Sequence, residues 1–155
     1  MALAYLDTSA LLKLVLQEDG EERVLKVINQ AGRVCCSVIT YAEGRATLSR
    51  HYAEQAQLMT GKGKAAALAK LAAEHQGVIQ DFNALWDDIN EVDVTPAIYR
   101  VAGDLTVAHP GLRGMDALHL ASALEVQKVE AVWFLTFDDR LALAAEARLG
   151  KKALR

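Results

Sequence analysis

The sequence predicts an α/β fold built around a mainly parallel sheet. Four short apolar runs are separated by segments whose apolar residues recur at helical spacing. Strands that are joined through helices pair in parallel, because a parallel pair needs a long crossover connection. The 155 residues include only two prolines, no Pro/Gly/Ser-rich linker and 52% hydrophobic residues, so we expect one domain covering residues 1–155.

The first half of the chain is expected to hold two buried strands and five helices. The segments "ALAYL" and "RVCCSVI" are short and apolar, as buried strands are. Gly32 is a typical helix C-terminal residue, and "GKGK" at 61–64 breaks the helical spacing. The predicted strands lie at 2–6 and 33–39, and the predicted helices at 9–16, 21–32, 40–57, 65–75 and 79–89.

Two further strands and three helices are expected in the second half. Pro96 suits the first position of a helix, because proline lacks the N–H group that is unpaired there. That helix should end near His109. The predicted strands lie at 91–95 and 131–136, and the other helices at 115–127 and 139–150. A tail strand near 152–154 would raise the strand count from four to five.

Composition limits the classes of function. The net charge of −3, from 17 basic and 20 acidic residues, lacks the basic excess of many nucleic-acid binders but does not exclude one. No apolar run approaches the roughly 18 residues of a membrane span. No charged segment precedes the first apolar run, so we expect a cytoplasmic protein without membrane contact. Cys35 and Cys36 are adjacent and should point to opposite faces of a strand, which disfavours a disulfide.

Four carboxylates are expected near the carboxyl ends of the strands, where ligands bind in open α/β sheets. Asp7 follows the first strand and Asp138 follows the fourth. Glu43 lies in the first turns of the helix after the second strand, and Asp116 begins the helix "MDALHLASA". Four clustered acids repel one another unless they are protonated or bridged by cations, and Mg²⁺ or Mn²⁺ prefers oxygen ligands.

Each acid also has a purely structural interpretation. Asp7 and Asp116 could cap helix N-termini, and Asp138 could be a turn or cap residue. Glu43 could be a solvated helix residue. These interpretations stay open for each acid taken alone, and only the joint placement of the four acids favours a metal site.

Two details of the expected site concern neighbouring residues. Adjacent residues that leave a strand point in different directions, so only one of Asp138 and Asp139 should face the site, and the pattern T-x-D, with Thr136 two residues earlier on the same side, favours Asp138. Asp139 should then be the N-cap or a first-turn acid of the last helix. His119 lies three residues after Asp116 on the same helix side, and we expect it to support the core or the site rather than bind metal.

Four segments resemble the successive motifs of the PIN domain family: "YLDTSALLKL", "ITYAEGRATL", "GMDALHLASAL" and "LTFDDRLALAA". Their order and approximate spacing match over nearly the whole chain, and the subgroup most resembled is the VapC-type toxins of bacterial toxin–antitoxin pairs. The resemblance implies a Rossmann-like three-layer α/β/α sandwich with four to five strands. It also implies a Mg²⁺- or Mn²⁺-dependent ribonuclease, a cognate antitoxin and a homodimer.

The resemblance also implies roles for particular residues. The metal ligands and catalytic acids carried over from the family motifs are Asp7, Glu43, Asp116 and Asp138. The candidate substrate contacts are Ser9, Arg113 and Thr136. Arg113 could contact a phosphate or form a surface salt bridge. Three further cations could follow an RNA backbone, although each is better explained as a solvated surface charge: Lys13, Arg45 and Arg50.

Two other functions stay open at this stage. The first is a PIN-like RNA-binding or assembly module with little activity, against which the intact set of four acids counts. The second is a different metal-dependent nuclease, such as a 5′ nuclease acting on DNA structures, although those carry more acids and extra helical segments. A comparison of metal-dependent cleavage of RNA and DNA would separate these functions.

Overall fold

The computed structural model describes residues 2–154 and has a four-stranded, entirely parallel sheet at its centre. The strands lie side by side in the order β3-β2-β1-β4. Their bounds are β1 Leu3–Leu6, β2 Val34–Ser37, β3 Asn90–Val92 and β4 Val132–Leu135. The predicted α/β class and parallel sheet are therefore confirmed.

Seven helices connect and flank these strands within residues 2–154. Their bounds are α1 Thr8–Leu16, α2 Glu21–Ala31, α3 Ile39–Leu58, α4 Lys64–Asp87, α5 Pro96–Ala108, α6 Gly114–Gln127 and α7 Asp139–Leu149. One apolar core lies between the sheet and helices α1 to α4, and a second lies between the opposite sheet face and helices α5 to α7. The fold is therefore a three-layer α/β/α sandwich. Among residues 2–154, no helix has both the length and the apolar character needed to cross a membrane.

The strands supply both cores, because successive side chains point to opposite faces of a sheet. In β1, Leu3 and Tyr5 pack against the α5–α7 side, whereas Ala4 and Leu6 pack against the other side. The adjacent cysteines divide in the same way, and both thiols are free and buried, as the sequence predicted.

One prediction for secondary structure was wrong, and one alternative that the sequence left open is decided. The predicted helices at 65–75 and 79–89 form the single helix α4, which continues through Gly77. A mid-helix glycine costs only about 1 kcal/mol relative to alanine, and burial of Leu71, Phe82 and Trp86 along α4 outweighs that cost. The tail forms a 3-10 turn at Lys151–Ala153 and one isolated parallel bridge between Phe134 and Leu154, not a fifth strand.

The order of the strands decides where a site can form. The chain runs from β1 outward through β2 to β3 and then returns to place β4 on the other side of β1. The connections therefore leave β1 and β4 toward opposite layers, which opens a crevice beyond the carboxyl ends of these two strands. Asp7 directly follows β1, and Thr136 directly follows β4.

Candidate active site

Asp7 is both a helix cap and a member of the site. Its side chain is buried, and its Oδ1 accepts hydrogen bonds from the Ala10 N–H at 2.9 Å and the Ser9 hydroxyl at 2.7 Å. The Thr136 hydroxyl donates to Oδ2 across the crevice at 2.6 Å. Burial raises the pKa of Asp7, although these hydrogen bonds and His119 act to lower it. The cap and the site interpretations of this residue therefore both apply.

Asp138 caps α7 in the same manner. Its Oδ1 accepts hydrogen bonds from the backbone N–H groups of Arg140 at 2.9 Å and Leu141 at 3.0 Å. Asp139 is the first residue of α7 and an exposed first-turn acid. Of the two roles expected for Asp139, the structure confirms the first-turn acid, and the N-cap is Asp138, as its structural interpretation allowed. Asp138 can cap and also border the site, because only Oδ1 is used in these two backbone contacts.

Glu43 is held from two sides. The Thr8 hydroxyl donates to Glu43 Oε2 at 2.7 Å, and His119 Nε2 lies 2.8 Å from the same oxygen. Burial acts to raise the pKa of Glu43, but the hydrogen bonds from His119 and Thr8 outweigh it and the pKa lies below its ordinary value. Gly44 helps to place this turn, because a Cβ there would lie 2.6 Å from the Phe82 ring of α4.

Asp116 is the least satisfied of the four acids. It lies in the first turn of α6, and its Oδ2 is buried without a hydrogen-bond partner among residues 2–154. Burial raises the pKa of Asp116, and the negative charge of Asp138 raises it further. A buried carboxylate oxygen without a donor is costly unless a proton or a cation joins it.

The four acids border one open pocket. Its lining combines these acids with hydroxyl residues and one cation: Asp7, Thr8, Ser9, Leu12, Glu43, Thr47, Arg113, Asp116, His119 and Asp138. Arg113 is the one Lys or Arg residue among 2–154 that lines this pocket. The other three basic candidates do not line it: Lys13 contacts Glu18, Arg45 contacts Asn83, and Arg50 donates to the lining residue Thr47. The structure therefore brings together the predicted acids but not those three cations.

The two predicted hydroxyl contacts, Ser9 and Thr136, lie at the base of the site. Besides donating to Asp7, the Ser9 oxygen accepts from the Phe137 N–H at 2.9 Å. The Thr136 oxygen accepts from the Asp138 N–H at 3.1 Å. These hydroxyls therefore tie β1 to the loop after β4, and a contact with substrate stays a prediction for both.

The chemical type of the pocket's oxygen atoms fits a hard divalent cation, but their positions do not yet form a metal-binding group. The pocket offers carboxylate oxygens, and the unpartnered Oδ2 of Asp116 with its raised pKa is what a cation would relieve. Among residues 2–154, no group of three or more His, Cys, Asp or Glu side chains is already arranged to hold a metal. Oε2 of Glu43 is bonded to Thr8 and His119 and is therefore not directed at the other three acids.

Sequence reasoning missed Tyr5, whose side chain contacts His119. Tyr5 lies in an apolar strand and is fully buried, so nothing in its local sequence distinguishes it from a core residue, yet its hydroxyl lies 3.2 Å from His119 Nδ1. Of the two hydroxyl residues that follow Asp7, the predicted Ser9 contacts Asp7, whereas Thr8 contacts Glu43. The expected supporting position of His119 is confirmed by its burial and its contact with Glu43.

This arrangement defines a Rossmann-like α/β protein with an acidic pocket at the switch point of its sheet. The chain matches the PIN domain family over residues 4–147, and it therefore belongs to that family. It is 31% identical over 154 residues to ribonuclease VapC45 and to ribonuclease VapC49, each from a strain of Mycobacterium tuberculosis. Each match covers 95% of this chain and 92% of the relative.

A solved structure shares the fold. A chain in the crystal structure of VapBC2 from Rickettsia felis, bound to a DNA fragment from their promoter, superposes with a TM-score of 0.56. The superposition covers 88% of this chain and 87% of that chain at 14% sequence identity. The likeness at this level of identity concerns the fold alone, and it agrees with the predicted PIN-like sandwich.

Proposed function

We propose that this protein is a metal-dependent endoribonuclease and the toxin member of a toxin–antitoxin pair. The observation that carries the proposal is the convergence of Asp7, Glu43, Asp116 and Asp138 on one pocket at the switch point of the sheet. Membership in the PIN family and the relatives that are named VapC ribonucleases support the reaction class. The metal, the substrate and the roles of the individual residues are part of the proposal.

The four acids divide the work according to their contacts. A bound Mg²⁺ or Mn²⁺ would neutralise charge at the phosphate and lower the pKa of a bound water molecule. Asp7 and Asp116 are the primary ligands, because Asp7 is fixed by three donors and Asp116 has an oxygen without one. Asp138 contributes Oδ2, the oxygen that does not cap α7 and that lies 3.8 Å from Arg140 Nη2, and Glu43 orients water.

Arg113 provides the positive charge for the scissile phosphate. It precedes Asp116 at the N-terminus of α6 and lines the same pocket, where helix N–H groups add partial positive charge. Its guanidinium can therefore bind a phosphate oxygen at this pocket. Substitution of Arg113 should weaken RNA binding more than it changes the chemical step.

The test is cleavage of RNA by the purified full chain. Total RNA and single-stranded oligonucleotides should be cut with Mg²⁺ or Mn²⁺ present and left intact with EDTA, and DNA of the same sequence should not be cut. Asp116→Asn should lower cleavage by at least about 10²-fold, the scale of losing one electrostatic catalytic element. Asp139→Asn is the matched control, because Asp139 is an exposed acid outside the pocket.

Three outcomes would change the conclusion. Wild-type cleavage by Asp116→Asn and Asp7→Asn would remove the metal site from the reaction. Binding of RNA without cleavage, in the presence of either metal, would favour the RNA-binding module. Cleavage of structured DNA in preference to RNA would favour the other nuclease class.

The partner we propose is a cognate antitoxin that covers the acidic pocket. The pocket has more carboxylates than cations, so an inserted Arg or Lys of the partner could occupy it in place of a metal. Expression of this chain alone should slow growth, and the Asp7→Asn form at equal protein level should not. Equal growth of the two strains would contradict the toxin role. A cytoplasmic site of action and a homodimer belong to the same proposal.

A further inference from the structure

A chain of hydrogen-bonded side chains runs from the core of the sheet to Glu43. The Tyr5 hydroxyl in β1 lies 3.2 Å from His119 Nδ1, and His119 Nε2 lies 2.8 Å from Glu43 Oε2. Tyr5 is fully buried and His119 is 2% exposed. We propose that Tyr5 and His119 are positioning residues that fix the Glu43 carboxylate, and this inference rests on the proposed nuclease function.

The direction of the hydrogen bonds follows from the chemistry of the groups. An ionised carboxylate only accepts, so His119 must carry a proton on Nε2 to bond Glu43. In the neutral ring, Nδ1 is then an acceptor, and the Tyr5 hydroxyl donates to it. Glu43 therefore selects the tautomer with a proton on Nε2, and the Tyr5 hydroxyl supplies the matching hydrogen bond to Nδ1 that holds the ring in place.

The anchor of this chain is rigid. The Tyr5 ring stacks on Phe134 with centroids 5.3 Å apart and planes at 12°, and it meets the His119 ring edge-on at 6.2 Å. Tyr5 lies opposite Phe134 in the paired strands β1 and β4, and β1 is an interior strand of the sheet. The His119 ring is thus held against two fully buried aromatic side chains.

Glu43 is the acid that most needs such support. It has three side-chain torsions and its side chain is 27% exposed, so without partners it would turn into solvent. Thr8 and His119 both bond to Oε2, which leaves Oε1 without a hydrogen bond from residues 2–154. The chain therefore fixes one oxygen of Glu43 so that the other has a defined position at the pocket. Metal centres depend on such outer hydrogen bonds by about 10- to 100-fold.

The first experiment is a double-mutant cycle between His119→Phe and Glu43→Gln, with kcat and KM measured on RNA and the affinity for Mn²⁺ measured by titration. His119→Phe should lower kcat by about 10- to 100-fold with KM within about twofold, and the double variant should lose no more than Glu43→Gln alone. His119→Gln, which keeps a donor near Nε2, should recover most of the loss. Additive losses, or no recovery by glutamine, would overturn the positioning role.

The second experiment does not depend on cleavage. Long-range ¹H–¹⁵N spectra at mildly alkaline pH should show His119 protonated on Nε2 in the wild-type protein, and in Tyr5→Phe the Nδ1 resonance should shift because Nδ1 loses its hydrogen bond from Tyr5. Tyr41→Phe is the control, because its hydroxyl contacts Asn83 away from the pocket. Protonation on Nδ1 in the wild type, or an unchanged spectrum in Tyr5→Phe, would overturn the inference. If the wild type cut no RNA, the proposed function would fail while these spectra still decided the role of Tyr5.

Discussion

Two of the four acids are helix N-caps and two are not, and this difference predicts how substitution of each acid affects stability. Asp7 and Asp138 follow the adjacent strands β1 and β4 and accept backbone N–H groups at the starts of α1 and α7. Glu43 and Asp116 lie inside the first turns of α3 and α6, and neither is the N-cap of its helix, although a backbone hydrogen bond from Arg113 reaches Asp116. The first pair therefore supplies the N-cap acceptors of two helices, whereas the second pair does not.

The contrast also resolves an ambiguity in the sequence. A carboxylate between a strand and a helix can be a cap or a ligand, and those interpretations compete only if one residue cannot do both. Each capping acid has two oxygens, and the crevice lies beside the helix N-terminus. One oxygen can therefore serve the helix while the other is left for the pocket, so the structure confirms the cap interpretation and the ligand interpretation stays a prediction.

The largest expected difference between the two kinds of acid is at Asp7. Asp7→Ala should destabilise the protein by about 2 to 4 kcal/mol, because it removes a cap and leaves the Ser9 and Thr136 hydroxyls without their acceptor. Asp7→Asn keeps an acceptor for the Ala10 N–H and removes a buried charge, so its stability should stay within about 1 kcal/mol of wild type. Urea unfolding with EDTA present measures both.

Equal stability of Asp7→Ala and Asp7→Asn would contradict the structural role that we assign to the capping acids. In that case the hydrogen bonds to Asp7 would contribute nothing measurable, and the cap would not explain its position. Because both variants lose the carboxylate, both should lose cleavage whatever their stability.

The sequence was a good guide to the fold and to the acids for physical reasons. Buried parallel strands are short and uniformly apolar, so their ends are sharp, and the acids follow those ends directly. The continuity of α4 could not be read from residues 76–78, because packing against α3 decides it. Tyr5 could not be recognised either, since its role depends on a contact with His119, which is 114 positions away along the chain.

The second prediction concerns Asp138, the other capping acid. Asp138→Ala should cost about 0.5 to 2 kcal/mol, because the N–H groups of Arg140 and Leu141 lose their acceptor. Asp138→Asn should restore most of this stability without restoring Mn²⁺ binding or cleavage. Thermal unfolding and metal titration of the two variants separate the effects. Recovery of metal binding by asparagine would mean that Asp138 contributes only as a cap.

The third prediction concerns Asp116, which caps no helix. Because its pKa is raised in the folded protein, the folded state keeps this proton to a higher pH than the unfolded chain does. The stability of the wild type should therefore fall as the pH rises through the interval between the ordinary pKa and the raised pKa. Asp116→Asn lacks this titration, so in EDTA it should be the more stable protein above that interval and lose the advantage below it.

Added Mn²⁺ should reverse the order of stability of wild type and Asp116→Asn at neutral pH. A ligand that binds only the folded state stabilises it by mass action, and the variant has lost a ligand oxygen. Melting curves at several pH values, with EDTA or Mn²⁺, provide the measurement. If the difference in melting temperature between wild type and Asp116→Asn did not change with pH, burial of the Asp116 charge and its repulsion by Asp138 would not determine the effect of Asp116 on stability.

The smallest expected effect is at Asp139, the immediate neighbour of Asp138. Asp139 is exposed and lies in the first turn of α7, so its contribution is its favourable charge near the positive end of the helix. Asp139→Ala should therefore cost only about 0.3 to 1 kcal/mol, a loss that salt should reduce, and cleavage should stay at the wild-type level. Because Asp138→Ala removes hydrogen bonds instead, its cost should persist in salt. If Asp139→Ala abolished cleavage while Asp138→Ala did not, the pocket would be formed by the wrong neighbour, and the fourth acid would have to be reassigned by one residue.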